Sequence, residues 1–174
     1  MNIILIGYRG SGKSTLGKPL AMRQWLTFVD LDQEVCKRFN NTSIADIWAQ
    51  HGEAQWRRVE AQVIGELCGK TGQVIALGGG ALTEPAARRA VLEAPETIKI
   101  YLYCEPQELH RRITQDPATN QNRPPLTNLG DGLEEINTVL KKRDPVYRSV
   151  ADKIFDVTHI RPDNGVRYLI EKCL

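Results

Sequence analysis

The chain is short of the residues that build metal centres or crosslinked scaffolds. Four cysteines occur in 174 residues, Cys36, Cys68, Cys104 and Cys173, and none forms a C-x-x-C pair. That scatter argues against structural zinc and against a disulfide framework, and fits reduced thiols in a cytoplasmic protein. The three histidines, His51, His110 and His159, lack the spacing of a ligand set and read as surface or cap residues. No apolar stretch approaches the ~20 residues that span a bilayer, so no membrane partner is expected. A charged leader region with a cleavage site is missing as well, and no signal peptide is expected. The formal net charge is only +2 and no basic stripe is present, which disfavours nucleic acid as a partner. Repeats and low-complexity tracts are absent. What remains is an ordinary globular composition, 41% hydrophobic and 25% charged, with a length that suits one domain over residues 1–174.

Against that plain background one segment stands out. Gly7-Tyr8-Arg9-Gly10-Ser11-Gly12-Lys13-Ser14 fits G-x-x-x-x-G-K-[ST] at every fixed position. Asn2–Ile6 before it is an apolar run of strand type, and Thr15 to Gln24 after it reads as a helix. Strand, loop and helix together form a phosphate site: glycines let the backbone curl so that several N–H groups face one anion, and the helix N-terminus adds partial positive charge. Gly10, Ser11, Gly12 and Thr15 belong to this cradle. Lys13 is placed to reach the β- and γ-phosphates of a nucleoside triphosphate, and Ser14 to ligate Mg²⁺.

Apolar runs alternate with helical patterns along the rest of the chain. Strand candidates are Ile3–Ile6, Thr27–Val29, Val74–Leu77, Ile98–Leu102 and Lys153–Phe155. Helical stretches separate them at Lys13–Gln24, Gln33–Phe39, Ile44–Ala49, Glu53–Cys68, Pro85–Leu92, Pro106–Ile113, Leu133–Val150 and Asp163–Lys172. The fold class is α/β: a five-stranded parallel sheet with helices on both faces, whose ligands bind beyond the carboxyl ends of the strands. Ser43-Ile44-Ala45-Asp46 resembles a capping box with Asp in place of Glu. Pro19 is expected to kink or shorten the first helix. Residues 115–132, rich in Pro, Asn and Gly, read as a lid loop that carries Arg123.

The other strand ends also carry residues suited to chemistry. Asp30 and Asp32 follow the second strand and would share a face if the strand continued. One could help to hold Mg²⁺ and the other a substrate hydroxyl, although Asp32 also suits a helix cap. The third strand lacks the acidic end of a Walker B strand and runs instead into Gly78-Gly79-Gly80, where a ligand can come close to the backbone. Arg57 and Arg58 lie about 100° apart on a helix, so one can face a cleft while the other faces water. The cleft-facing one of that pair and Arg143 are the candidate anchors for a carboxylate, which guanidinium grips with two parallel hydrogen bonds.

Taken in order, these motifs resemble the shikimate kinase family over essentially the whole chain. The resemblance rests on Gly7–Thr15, Asp30 with Asp32, Ser43–Ile47 leading to Gly52-Glu53, Arg57-Arg58-Val59-Glu60, Leu77–Gly80, Arg123-Pro124, and Arg143 with Pro145 and Tyr147. It implies a P-loop kinase fold and transfer of the γ-phosphoryl group of ATP to the 3-hydroxyl of shikimate, with Mg²⁺. By that pattern Asp32 binds the ring hydroxyls and accepts a proton, and Arg57 and Arg143 clamp the carboxylate. Gly79 and Gly80 offer N–H groups to the substrate. Asp30 and Ser14 serve the metal, Lys13 and Arg123 the transferring phosphoryl group, and Arg112 and Arg161 the adenine end. The expected enzyme is a monomer. Two other readings share parts of the pattern: a different small-molecule P-loop kinase, such as one acting on gluconate, and a non-catalytic binding module of the same fold. The first does not need the paired arginines with the three glycines, and the second has no reason to keep Lys13, Ser14, Asp30, Asp32, Arg57 and Arg123 together.

Overall fold

The computed structural model describes residues 1–116 and 132–174. Five strands, β1 (Asn2–Ile6), β2 (Thr27–Asp30), β3 (Gln73–Ala76), β4 (Thr97–Tyr103) and β5 (Lys153–Asp156), form one parallel sheet in the order β2-β3-β1-β4-β5. The helices are α1 (Lys13–Gln24), α2 (Leu31–Lys37), α3 (Ile44–Cys68), α4 (Pro85–Glu93), α5 (Pro106–Gln115), α6 (Leu133–Val150) and α7 (Pro162–Cys173), with a short 3₁₀ turn at Ala81–Thr83. Each strand is joined to the next through helix, as parallel pairing requires. Strand β1 lies at the centre, and Ile3, Ile4, Leu5 and Ile6 are at most 1% exposed. A strand covered on both faces is apolar wherever no hydrogen-bond partner is at hand, which is why Ile3–Ile6 reads as a continuous hydrophobic run instead of an alternating one, while buried Asn2 is satisfied by the Lys70 carbonyl and the Gln73 amide. Burying each such side chain contributes about 1.5–3 kcal/mol.

Register brings the functional loops to one edge. Ala76 lies level with Leu5 on one side and with Asp30 on the other, and Leu5 lies level with Ile100. The residues that follow, 7–12 after β1, 31–32 after β2 and 77–80 after β3, therefore emerge side by side beyond the carboxyl ends of the strands. Chain order reverses around β1, since β3 and β4 flank it, and such switch points open the crevice in which ligands of these sheets bind.

Several local expectations change. Asp30, not Asp32, caps α2: its carboxylate accepts from the Gln33 amide, and the helix starts two residues earlier than the pattern suggested. The two aspartates therefore do not share a strand face, because the chain turns helical at Leu31. Pro19 does not shorten α1, which runs on to Gln24. The ring removes the bond to the carbonyl of Thr15, an exposed residue where water can replace it. The stretches 44–49 and 53–68 are two halves of α3, broken at Gly52 with φ 78° and ψ 161°. Ser43 caps the first half by accepting from the Asp46 amide at 3.1 Å, while Asp46 accepts the Ser43 hydroxyl at 2.6 Å instead of reaching the backbone. Most of the expected lid, with Arg123, lies outside the described residues.

Candidate active site

The first loop is shaped by its glycines. Gly10 and Gly12 adopt φ of 80° and 87°, a left-handed backbone that side-chain-bearing residues rarely take, and Gly12 is the N-cap of α1. Successive N–H groups thereby turn inward over the start of the helix. Lys13, the first residue of α1, folds back over the loop, and its Nζ donates to the carbonyls of Gly7 and Tyr8 at 2.8 Å each. Ser14 donates to Asp30 Oδ2 at 2.9 Å, which joins the P-loop helix to the end of β2.

A cleft of about 630 Å³ opens over this loop. Gly10, Ser11, Gly12, Lys13, Ser14, Thr15, Asp30 and Asp32 line it, and so do Arg112 and Arg161. Arg112 is held from two sides: Nε donates to Glu108 at 2.8 Å, and Nη2 donates to the Val157 carbonyl at 2.7 Å. Hydrogen bonds from Arg111 and then Arg112 hold the Glu108 carboxyl down to about 2 against the effect of burial. Arg161 is the N-cap of α7.

A second, smaller cavity of about 50 Å³ adjoins the first. Arg57, Gly79, Gly80, Arg143 and Asp32 line it, with Trp48 and Glu60. Its geometry turns on Arg57. That guanidinium donates to Glu60 at 2.7 Å and to Glu53 at 3.0 Å, and it lies 5.6 Å over the Trp48 ring. Burial would lower its pKa, but the Glu60 charge and the carboxylate hydrogen bonds outweigh burial and raise it, so the cation is fixed. Glu60 is only 1% exposed, and burial pushes its carboxyl up, partly offset by Arg57. Arg58, one residue on, faces solvent.

The glycine run is explained by crowding. A Cβ on Gly80 would stand 2.7 Å from Arg57 Cζ, and one on Gly78 would stand 2.7 Å from Asp32 Oδ1. Only glycine lets the loop pass this close to both charged groups. The Gly79 carbonyl accepts from Arg143 at 3.1 Å and from the Tyr147 hydroxyl, tying α6 to the loop. No donor bond from the Gly79 or Gly80 amide is present among the described residues.

Every candidate residue among those described thus lines one of two adjoining cavities, and Arg123 lies outside the description. Sequence reasoning passed over Arg9, which lines both cavities and pairs with Glu135. It occupies a free position of the P-loop pattern, so no motif pointed to it. Tyr147 was quoted only as part of a motif, and its bond to Gly79 joins residues 68 apart, which no local pattern can reveal. Glu108 gave no signal beyond its place in a charged helix.

Known proteins resemble this chain in sequence and fold. The family model described as shikimate kinase matches residues 9–174. A shikimate kinase of Aromatoleum aromaticum is 39% identical over 174 residues, covering 100% of this chain and 94% of that one. The solved shikimate kinase of Acinetobacter baumannii in complex with shikimate superposes with a TM-score of 0.87 at 30% identity, covering 98% of this chain and 90% of that one. A gluconokinase of Sinorhizobium meliloti superposes with a TM-score of 0.58 at 21% identity over 95% of this chain and 87% of that one, a likeness of fold alone. Matched through its whole helical and strand framework, with the two cavities at the strand ends, the chain belongs to the shikimate kinase family.

Proposed function

We propose that the protein transfers the γ-phosphoryl group of ATP to the 3-hydroxyl of shikimate, giving shikimate 3-phosphate and ADP. The observation that carries this reading is the meeting of the two cavities. One is floored by a phosphate loop, the other holds two arginines with a glycine loop, and Asp32 lines both. A carboxylate gripped by Arg57 and Arg143 would fix the ring and bring one hydroxyl toward the first cavity. Orientation of that kind replaces a bimolecular encounter by a near-unimolecular one.

In the step itself, the hydroxyl oxygen forms a bond to Pγ as the bond from Pγ to the β-bridging oxygen breaks, and ADP leaves. The transition state is loose, so positioning and charge matter more than a strong base. Lys13 would exchange its two loop carbonyls for phosphate oxygens, and Arg123 would add a second cation. Asp32 would accept hydrogen bonds from the ring hydroxyls and take the proton that is lost. The amides of Gly79 and Gly80 would bind the substrate. Arg112 and Arg161 would flank the adenine.

The hydroxyl of Ser14 and the carboxylate of Asp30 are hard oxygen donors, 2.9 Å apart, and fit Mg²⁺ carried in on the phosphates. Among the described residues no cluster of three or more His, Cys, Asp or Glu could form an all-protein cage, which suits a metal shared with the nucleotide. When bound, Mg²⁺ supplies charge that neutralises the β- and γ-oxygens. One chain carries both cavities, which supports action as a monomer. Four cysteines scattered along the chain with no C-x-x-C pair favour the reducing cytoplasm.

The decisive experiment is ADP release from Mg²⁺-ATP with shikimate, with gluconate and with no acceptor. Stimulation by shikimate alone is expected. Stimulation by gluconate would overturn the acceptor assignment, and ATP binding without turnover on either would favour a binding module.

A further inference from the structure

The P-loop of this chain contains a buried charge that its motif does not require. Arg9 stands at a position where the pattern accepts any residue, yet its side chain is only 6% exposed. Its Nη2 donates to Oε1 of Glu135 at 2.8 Å, and Glu135 is fully buried. Arg9 Nε is buried and makes no hydrogen bond among the described residues. Burying two charges costs several kcal/mol per ion in lost hydration, and an apolar pair of similar volume is often as stable or more so. Packing alone is therefore a weak reason for this pair.

The pair does close a circuit of contacts. Glu135 lies in the first turn of α6, and the same helix carries Arg143 and Tyr147, which both donate to the Gly79 carbonyl. Gly79 in turn abuts the P-loop: a Cβ there would lie 3.4 Å from the Arg9 amide nitrogen and 3.6 Å from the Gly7 carbonyl. The circuit runs from P-loop to α6 to the glycine loop and back, and Tyr8, with a buried hydroxyl beside the Arg9 guanidinium, sits on it. Arg9 and Asp32 are the two described residues that line both cavities.

We propose that Arg9, gripped by Glu135, is a positioning residue for phosphoryl transfer, locking the phosphate loop against α6 and the glycine loop where the two cavities meet. It holds the spacing between the γ-phosphate and the acceptor hydroxyl without touching either. The inference rests on the kinase reading above.

The test is the paired apolar variant Arg9→Met with Glu135→Leu, compared with the parent and with Arg9→Lys and Glu135→Gln. The paired variant should melt no lower than the parent and bind ADP within about threefold of it, while kcat falls roughly 10- to 100-fold, the scale of a small misplacement at a reacting centre. Arg9→Lys, which keeps the cation, should recover much of that loss. A paired variant with parental melting and kcat within about twofold would reduce the ion pair to packing and overturn the proposal. If the paired variant does not fold, Glu135→Gln decides: a fall in kcat at unchanged KM for ATP supports the role, and parental kcat overturns it. A parent without shikimate-dependent turnover overturns the kinase reading and this inference together, whereas an active parent with an unimpaired paired variant overturns this inference alone.

Discussion

Arg57 holds its charge against Glu53 and Glu60, and that pairing decides what substitution there will do. Arg57→Ala leaves Glu60 buried beside Asp32 with no cation, so the melting temperature falls with the activity, by the equivalent of about 3–5 kcal/mol for a broken buried pair. Arg57→Lys separates the two effects: a cation remains for Glu60, but the planar fork is lost. For Arg57→Lys the KM for shikimate is expected to rise about tenfold or more while that for ATP stays nearly constant, as steady-state kinetics would show. Equal changes in both would remove Arg57 from the carboxylate grip. Lys13 is a simpler case. It sits in a half-exposed first turn where alanine is a good helix former, but its two bonds to the Gly7 and Tyr8 carbonyls are lost, so Lys13→Ala should stay folded and melt modestly lower than the parent. Its turnover should fall about 10²–10³-fold, comparable to removing one aimed donor from a charged transition state.

At the scale of elements, α5 shows how a helix is made to serve the nucleotide cleft. Glu108 receives Arg111 and Arg112 on one carboxylate, and Arg112 then reaches the carbonyls of Val157 and Thr158 beyond β5. The Glu108 carboxyl is held at about 2 in the folded protein against an ordinary value of 4.5. A depressed acid stabilises the fold fully above its unfolded pKa and loses that contribution as pH falls through its folded pKa. The melting temperature of the parent should therefore exceed that of Glu108→Gln at pH 6, and the gap should shrink between about pH 4.5 and 2. A gap that persists unchanged to pH 2 would assign the effect to packing. Elements also mark how far pattern reading reaches. The bounds Leu133–Val150 were legible from the sequence alone, because a long amphipathic period with Arg148 in its last turn leaves little choice. The start of α2 was not, because which aspartate caps it depends on where β2 leaves the sheet, and that is settled by pairing of Asp30 with Ala76.

For the molecule as a whole, ligand binding and stability are linked. ADP with Mg²⁺ at about 100 times its Kd should add about 2.7 kcal/mol, or roughly 5–10 °C in melting temperature for a domain of this size. Chelation of Mg²⁺ should abolish turnover and most of that shift, since the phosphates would then face Asp30 uncompensated. A shift unaffected by chelation would remove Ser14 and Asp30 from the metal site. No helix among the described residues is long and apolar enough to cross a membrane, and the core gathers on both faces of a sheet whose central strand is apolar from Ile3 to Ile6.

The order of elements, the parallel sheet and the phosphate loop were determined by the sequence itself, because periodicity, glycine spacing and the Lys13-Ser14 pair act over a few neighbouring residues. The three glycines and the two arginines were also visible there as candidates. Tertiary structure alone decided why they must be those residues: Gly80 gives way to Arg57, Gly78 to Asp32, and Gly79 lends its carbonyl to a helix far along the chain. It alone also revealed the Arg9 and Glu135 pair, which spans 126 residues. Charge pairing across such distances leaves no local trace, since its energy depends on burial and geometry that exist only once the sheet has brought its carboxyl ends together.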